Sequence, residues 1–233
     1  MNQKEIQQKV IQQAQDITER FISAAERPEN IYTLDAEQAA LVVIDMQNFV
    51  CAPEDGNAFA GIDKIIENTN ALVDLCHDKK IPVIWVRHTI STHDDNTDGG
   101  LYPLFHDNAH LRSVENQAES TEIYQGMHLD ENKHHIVLKC RYSAFMPDPS
   151  QSELEETLQS LGIRQLIICG MATNVCVEST IRDAMQMDYE VILAKDATDT
   201  YDPIVKAITL SELQLLFCDV RSTENIINAL IAK

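Results

Sequence analysis

Two hydrophobic periods alternate along this chain. Ala40–Ile44, Ile81–Val86, Leu166–Cys169 and Val191–Ala194 are short apolar runs, the pattern of strands covered on both faces, and His135–Leu138 is a further short strand. Between them apolar residues recur at helical spacing. Ile62–Lys79 carries Ile65, Ile66, Leu72, Val73, Leu75 and Cys76 this way, and Glu153–Leu161, Cys176–Met187, Ile204–Leu215 and Thr223–Ile231 follow. Leu216–Cys218 is a candidate last strand. Strands alternating with helices predict an α/β protein, a three-layer α/β/α Rossmann-like fold with a central parallel sheet. Ahead of it, Ile6, Val10, Ile11, Ala14, Ile17, Phe21 and Ile22 share helical spacing, with a Gln-rich polar side, up to about Ala25 and Arg27-Pro28. The chain therefore divides into a helical extension, residues 1–30, and one domain, residues 31–233. A long polar, acidic segment, residues 89–134, interrupts the alternation and is expected to form a lid or rim, with a short helix around Ser113–Gln125.

Charge and composition narrow the function. The formal net charge of −19 argues against nucleic acid or an anionic membrane as partner without identifying one; a small-molecule substrate is expected from the candidate chemistry instead. The first residues lack the apolar core of a secretory signal, and no apolar run reaches bilayer length. The six cysteines (Cys51, Cys76, Cys140, Cys169, Cys176 and Cys218) are scattered, without a C-x-x-C pair, which reads as free thiols in a reducing cytoplasm.

The candidate chemistry centres on Leu166–Ala184, LIICGMATNVCVESTIRDA. In this reading Gly170 ends a strand, Met171–Val175 turn, and a helix opens around Cys176 with Thr173 and Asn174 as its polar caps. A cysteine in a first helical turn faces backbone N–H groups and the positive end of the helix dipole, which favours thiolate and suits a nucleophile. Asp45 and Lys139 also stand at the carboxyl ends of predicted central strands, the edge where open α/β sheets bind ligands. A thiolate to attack a carbonyl, a carboxylate to carry its proton and a lysine to steer both form a complementary set. Each also has a plain structural reading: a buried cysteine, a turn-capping aspartate, a solvated strand end.

Four runs then resemble one family. ALVVIDMQNFV, KCRYSAF, GMATNVCVESTIRDA and AKDATDT, in that order from about Ala39 onward, are similar to the isochorismatase-like cysteine hydrolases. The pattern G-x-x-T-x-x-C-V followed by T-x-R-D-A is the specific part. The resemblance implies a catalytic triad of Asp45, Lys139 and Cys176. It also implies a cis peptide between Met171 and Ala172, with the N–H groups of Ala172 and Cys176 as oxyanion hole.

Within the family the runs look most like the ureidoacrylate and N-carbamoyl amidohydrolases, which implies cleavage of a small amide or ureido bond without a cofactor. The nicotinamidase branch carries an Asp-x-His metal motif after the second strand. Here that stretch reads VRHTISTHDD, so His88 and His93 predict no metal site. Gln47, Asn48, His88, Tyr142 and Asn174, beside the triad positions, are the candidate substrate-binding residues. The run FMPDPSQSE, longer than in the ureidoacrylate branch, is expected to reshape the pocket. Two other functions remain open: a vinyl-ether hydrolase using Asp45 without the thiol, and a binding or redox-sensing protein that does not turn over. The amphipathic first helix and the resemblance together imply a homodimer or homotetramer.

Overall fold

The computed structural model describes residues 3–28, 30–52, 59–89, 119–146 and 153–232. Strands β1 (Ala39–Ile44), β2 (Val83–His88), β3 (His135–Lys139), β4 (Gln165–Met171), β5 (Glu190–Asp199) and β6 (Asp219–Arg221) form one sheet in the order β3-β2-β1-β4-β5-β6, every pair parallel. Helix α1 (Gln3–Ala24) precedes it. A single turn α2 (Asn48–Cys51), then α3 (Ile62–Lys79), α4 (Glu153–Ser160), α5 (Glu178–Gln186), α6 (Pro203–Leu216) and α7 (Thr223–Ile231) connect and close it. This is the expected three-layer α/β/α arrangement.

The layers follow from the strand sequences. In β1 every residue is buried. Leu41 and Val43 face one core with Ile65 and Leu72 of α3 and Ile226 and Leu230 of α7. Ala40, Val42 and Ile44 face the other, with Leu154 and Leu158 of α4, Ile181 of α5 and Leu213 of α6. Each wholly buried Val, Leu or Ile contributes about 1.5–3 kcal/mol, so the two-sided strands supply much of the stability.

Helix α1 packs along α6 of its own chain. Its junction is clamped. Asp219 on β6 accepts the N–H groups of Ile31 and Tyr32 and pairs with Arg221, which also donates to the Tyr32 carbonyl. Among the described residues, no helix is long and apolar enough to cross a membrane. All six cysteines are buried free thiols.

The differences from the sequence reading are local. β5 runs to Asp199 rather than Ala194, and the last strand is Asp219–Arg221 rather than Leu216–Cys218, because α6 continues through Leu216. β3 is an edge strand, not a central one. Of the 89–134 segment, residues 90–118 lie outside the described residues, as do His93 and the 147–152 part of the FMPDPSQSE run. Within the helix expected at 113–125, the structure places only a 3₁₀ turn, Glu119–Thr121, among the described residues.

Candidate active site

The sheet order reverses direction between β1 and β4, the switch point at which open α/β sheets leave a crevice beyond their carboxyl ends. Asp45 follows β1 with φ +52°, a left-handed conformation that aspartate tolerates better than most residues. Cys176 follows β4. Lys139 ends β3, two strands away from β1, a separation of roughly 10 Å that suits a long side chain.

The three meet. Lys139 is wholly buried, and its Nζ lies 2.9 Å from Asp45 Oδ2, 3.2 Å from Cys176 Sγ, 3.1 Å from the Arg141 carbonyl oxygen and 3.2 Å from His88 Nδ1. Asp45 Oδ1 is buried with no hydrogen-bond partner among the described residues, and the Cys176 thiol is close enough to the carboxyl to lower its pKa.

Burial dominates the electrostatics. It lifts the Asp45 pKa above its ordinary value against the opposing pull of Lys139. Burial, and then the neighbouring carboxylate, push the Cys176 thiol up to about 12, with Lys139 opposing. Burial also works against the Lys139 charge, but Asp45 and the sulfur outweigh it and hold its pKa above the usual lysine value. Burial therefore favours the thiol over the thiolate, with the Lys139 ammonium opposing. That corrects the expectation of a thiolate favoured by a helix start.

The turn that carries Cys176 also differs from that expectation. Gly170 does not end β4; it sits inside the strand at φ +111°, where a Cβ would lie 2.0 Å from the Ile44 carbonyl oxygen. Only glycine lets β1 and β4 approach this closely. The peptide from Met171 to Ala172 is cis. Thr173–Val177 then form one π-helical turn before α5, and neither Thr173 nor Asn174 caps it. The Ala172 carbonyl takes the N–H groups of Val175 and Val177 and skips Cys176 between them. Such single π turns recur at functional sites. Thr180 stitches the turn to the lysine loop: its hydroxyl donates to the Cys176 carbonyl and accepts from the Ala144 N–H.

The predicted substrate-binding residues separate into two groups. Gln47 is wholly buried, its amide nitrogen donating to the carbonyls of His88 and Thr121 and its oxygen accepting the His88 N–H. Both amide hydrogens are used, so Gln47 braces the ends of β1 and β2. Asn48 is likewise tied, through its side chain, to the Glu119 carbonyl. His88 is buried beside Lys139; burial, then the lysine charge, drive its pKa well below the usual value, which leaves a neutral ring. Tyr142 and Asn174 are less buried. Tyr142 is 37% exposed, and burial and the Cys176 sulfur raise its hydroxyl pKa. Asn174 is half-buried, with its Oδ1 accepting from Thr200.

Sequence reasoning missed the contact of His88 with the ammonium and the tie from Thr200, because both depend on which strands become neighbours. Among the described residues no three His, Cys, Asp or Glu side chains gather as a metal-binding set.

The sequence matches the family model described as "Isochorismatase domain" over residues 39–225. Among solved structures the chain is similar to a cysteine hydrolase from Pseudomonas syringae pv. phaseolicola 1448A, at 24% identity and TM-score 0.78, covering 88% of this chain and 98% of that one. It is also similar to an isochorismatase-like hydrolase from Alkaliphilus metalliredigens (22%, TM-score 0.67, 82% and 98% covered). An isochorismatase family protein from Desulfovibrio vulgaris subsp. vulgaris str. Hildenborough is comparable (22%, TM-score 0.69, 84% and 99%). At these identities the likeness is one of fold.

Proposed function

The chain belongs to the isochorismatase family, and from that membership and the geometry of its site we propose a cysteine hydrolase of small C–N substrates. The substrate class is an amide, ureido or N-carbamoyl compound, and the motifs are nearest those of the ureidoacrylate and N-carbamoyl amidohydrolases. The observation that carries the reading is the Lys139 ammonium, wholly buried and within hydrogen-bond reach of both Asp45 Oδ2 and Cys176 Sγ. A purely structural ion pair needs no thiol as its third member.

In this mechanism the thiolate forms by internal transfer. Moving the thiol proton onto Asp45 keeps the charge of the buried set unchanged, whereas losing it to water adds a negative charge to a buried site, which is why the thiol resists ionisation. The sulfur attacks the carbonyl carbon, forming an S–C bond as the C=O π pair moves onto oxygen. The N–H groups of Ala172 and Cys176 receive that oxyanion, an arrangement that contributes about 3–4 kcal/mol in comparable sites. Collapse breaks the C–N bond while Asp45 gives its proton to the departing nitrogen. Water then attacks the thioester or thiocarbamate, Asp45 takes its proton, the C–S bond breaks, and the proton returns to sulfur.

The test is ammonia release from a panel of small amides, ureido acids and N-carbamoyl amino acids, with intact-mass detection of an adduct on Cys176. Turnover of one compound that is lost in Cys176→Ala supports the reading. A Cys176→Ala protein as active as wild type while Asp45→Ala is dead would overturn the thiol mechanism in favour of Asp45 acting without it, the arrangement that ether-type hydrolysis uses. A reactive thiol with no turnover would establish a binding or sensing role.

A further inference from the structure

The nucleophile turn is held by a neighbouring strand rather than by its own caps. The hydroxyls of Thr173 and Thr198 lie 2.8 Å apart, both wholly buried. The Thr200 hydroxyl donates to Asn174 Oδ1 at 2.5 Å. The two residues that looked like helix caps are thus turned sideways onto β5.

Strand β5 is shaped for this. Its ladder with β4 is regular through Leu193, opposite Ile168, and resumes at Thr198, opposite Gly170. Ala194–Ala197 stand against Cys169 alone, an extended bulge of the kind that re-aims side chains. The bulge is anchored from below. The Asp196 carbonyl accepts from Asn68 of α3, and the Asp196 carboxylate accepts from the N–H and hydroxyl of Thr223 at the start of α7. Beyond it, Thr198 near the end of β5 and Thr200, one residue past the strand, both direct their hydroxyls to the same turn. The Thr200 N–H is fixed in turn by Asp199 Oδ1.

We propose that Thr198 and Thr200 are positioning residues, whose hydroxyls fix Thr173 and Asn174 and so hold the intervening turn with the Ala172 and Cys176 N–H groups aimed at the oxyanion. The inference rests on the cysteine-hydrolase reading and adds to it a tether outside the triad. Thr173 and Asn174 lie between the two amides in sequence, so freeing their side chains lets the amides drift while Lys139, at the end of β3, and Asp45, just after β1, stay in place. Capture of an oxyanion should suffer. Simple nucleophilicity of the sulfur should not.

Two chemical probes separate these. p-Nitrophenyl acetate acylates a thiol through a tetrahedral oxyanion, forming the thioester and releasing p-nitrophenolate. Iodoacetamide alkylates the same sulfur by direct displacement of iodide and makes no oxyanion. Both rates are measured at Cys176 by intact mass, with Cys176→Ala as blank, for wild type, Thr198→Val, Thr200→Val, the double valine variant and Thr198→Ser/Thr200→Ser. The double valine variant should lose about tenfold or more in acylation, less than the outright removal of an oxyanion donor, with alkylation within about threefold of wild type. The double serine variant should recover acylation. Equal acylation in wild type and the double valine variant overturns the tether, as does a parallel fall in both rates, which marks general damage. No Cys176-dependent release of p-nitrophenolate from the wild type itself overturns the cysteine-hydrolase reading, and the tether with it.

Discussion

Lys139→Met removes the paired ammonium from a buried carboxylate and leaves a side chain of similar length. At 2.9 Å the Lys139–Asp45 attraction is about 6 kcal/mol at an effective dielectric constant of 20. The variant cannot lose all of this, because an unpartnered Asp45 escapes by taking a proton. Protonating a carboxyl with an ordinary pKa near 3.9 costs about 4 kcal/mol at pH 7, which sets the ceiling. Relief of the lysine's own desolvation lowers it further, so the expected loss of stability at pH 7 is about 3 kcal/mol. The pH dependence has a definite sign. In the variant the folded-state pKa of Asp45 rises still further above its unfolded value, so its contribution is fully present below the unfolded value and lost as pH rises. Each unit of acidification between pH 7 and pH 5 should restore about 1.4 kcal/mol. Urea unfolding of wild type, Lys139→Met and Asp45→Asn/Lys139→Met at pH 5, 6 and 7 reads this directly. The double variant, lacking the titrating carboxyl, should not show the added slope and should be the more stable of the two at pH 7. A Lys139→Met loss below about 1 kcal/mol at pH 7, or the same pH slope in both variants, would refute the account of a dry, closely coupled pair.

Other outcomes follow from the same structure. Acylation of Cys176 requires the Asp45 carboxylate, whose pKa burial raises, so the rate should fall on acidification with a midpoint above the ordinary carboxylate range; a midpoint at or below about 4 contradicts it. Iodoacetamide should label native protein at Cys176, whose sulfur has the Lys139 ammonium at 3.2 Å, before Cys51, Cys76 and Cys169, whose thiols burial pushes up to about 12 with no ammonium opposing it and which should be labelled only after unfolding; peptide mapping checks this. Gly170→Ala places a Cβ 2.0 Å from the Ile44 carbonyl oxygen, and thermal unfolding should show a loss of more than about 3 kcal/mol or no folded protein at all.

How far the sequence carried the structure depended on the range of the interaction. Apolar runs and helical spacing act locally, so α3 and α7 were legible to the residue and β1 to within one. The convergence of Asp45, Lys139 and Cys176 followed from strand ends and from the resemblance. What stayed hidden was set by neighbours distant in sequence. Thr173 and Asn174 have the residue types of helix caps, but Thr198 and Thr200 compete for the same side chains. Gly170 looked like punctuation, and only the approach of Ile44 shows why a glycine lies within the strand. The helix-dipole argument for a low thiol pKa met a larger opposing effect, desolvation, which no local pattern reports.

The lysine at the centre of the site is carried by the most peripheral strand. Among the described residues β3 pairs only with β2, and Ile136 and Leu138 are more than a third exposed, while β1 and β4 are sealed on both faces. Hydrogen-exchange protection should grade accordingly, with β3 amides opening at lower free energy than those of β1 and β4. Such an opening swings Lys139 out of the pocket while Asp45 and Cys176 stay where they are. Competence and foldedness therefore have different thresholds in this molecule: on warming, the ability to react should fade with the protection of one edge strand, before the sheet as a whole gives way.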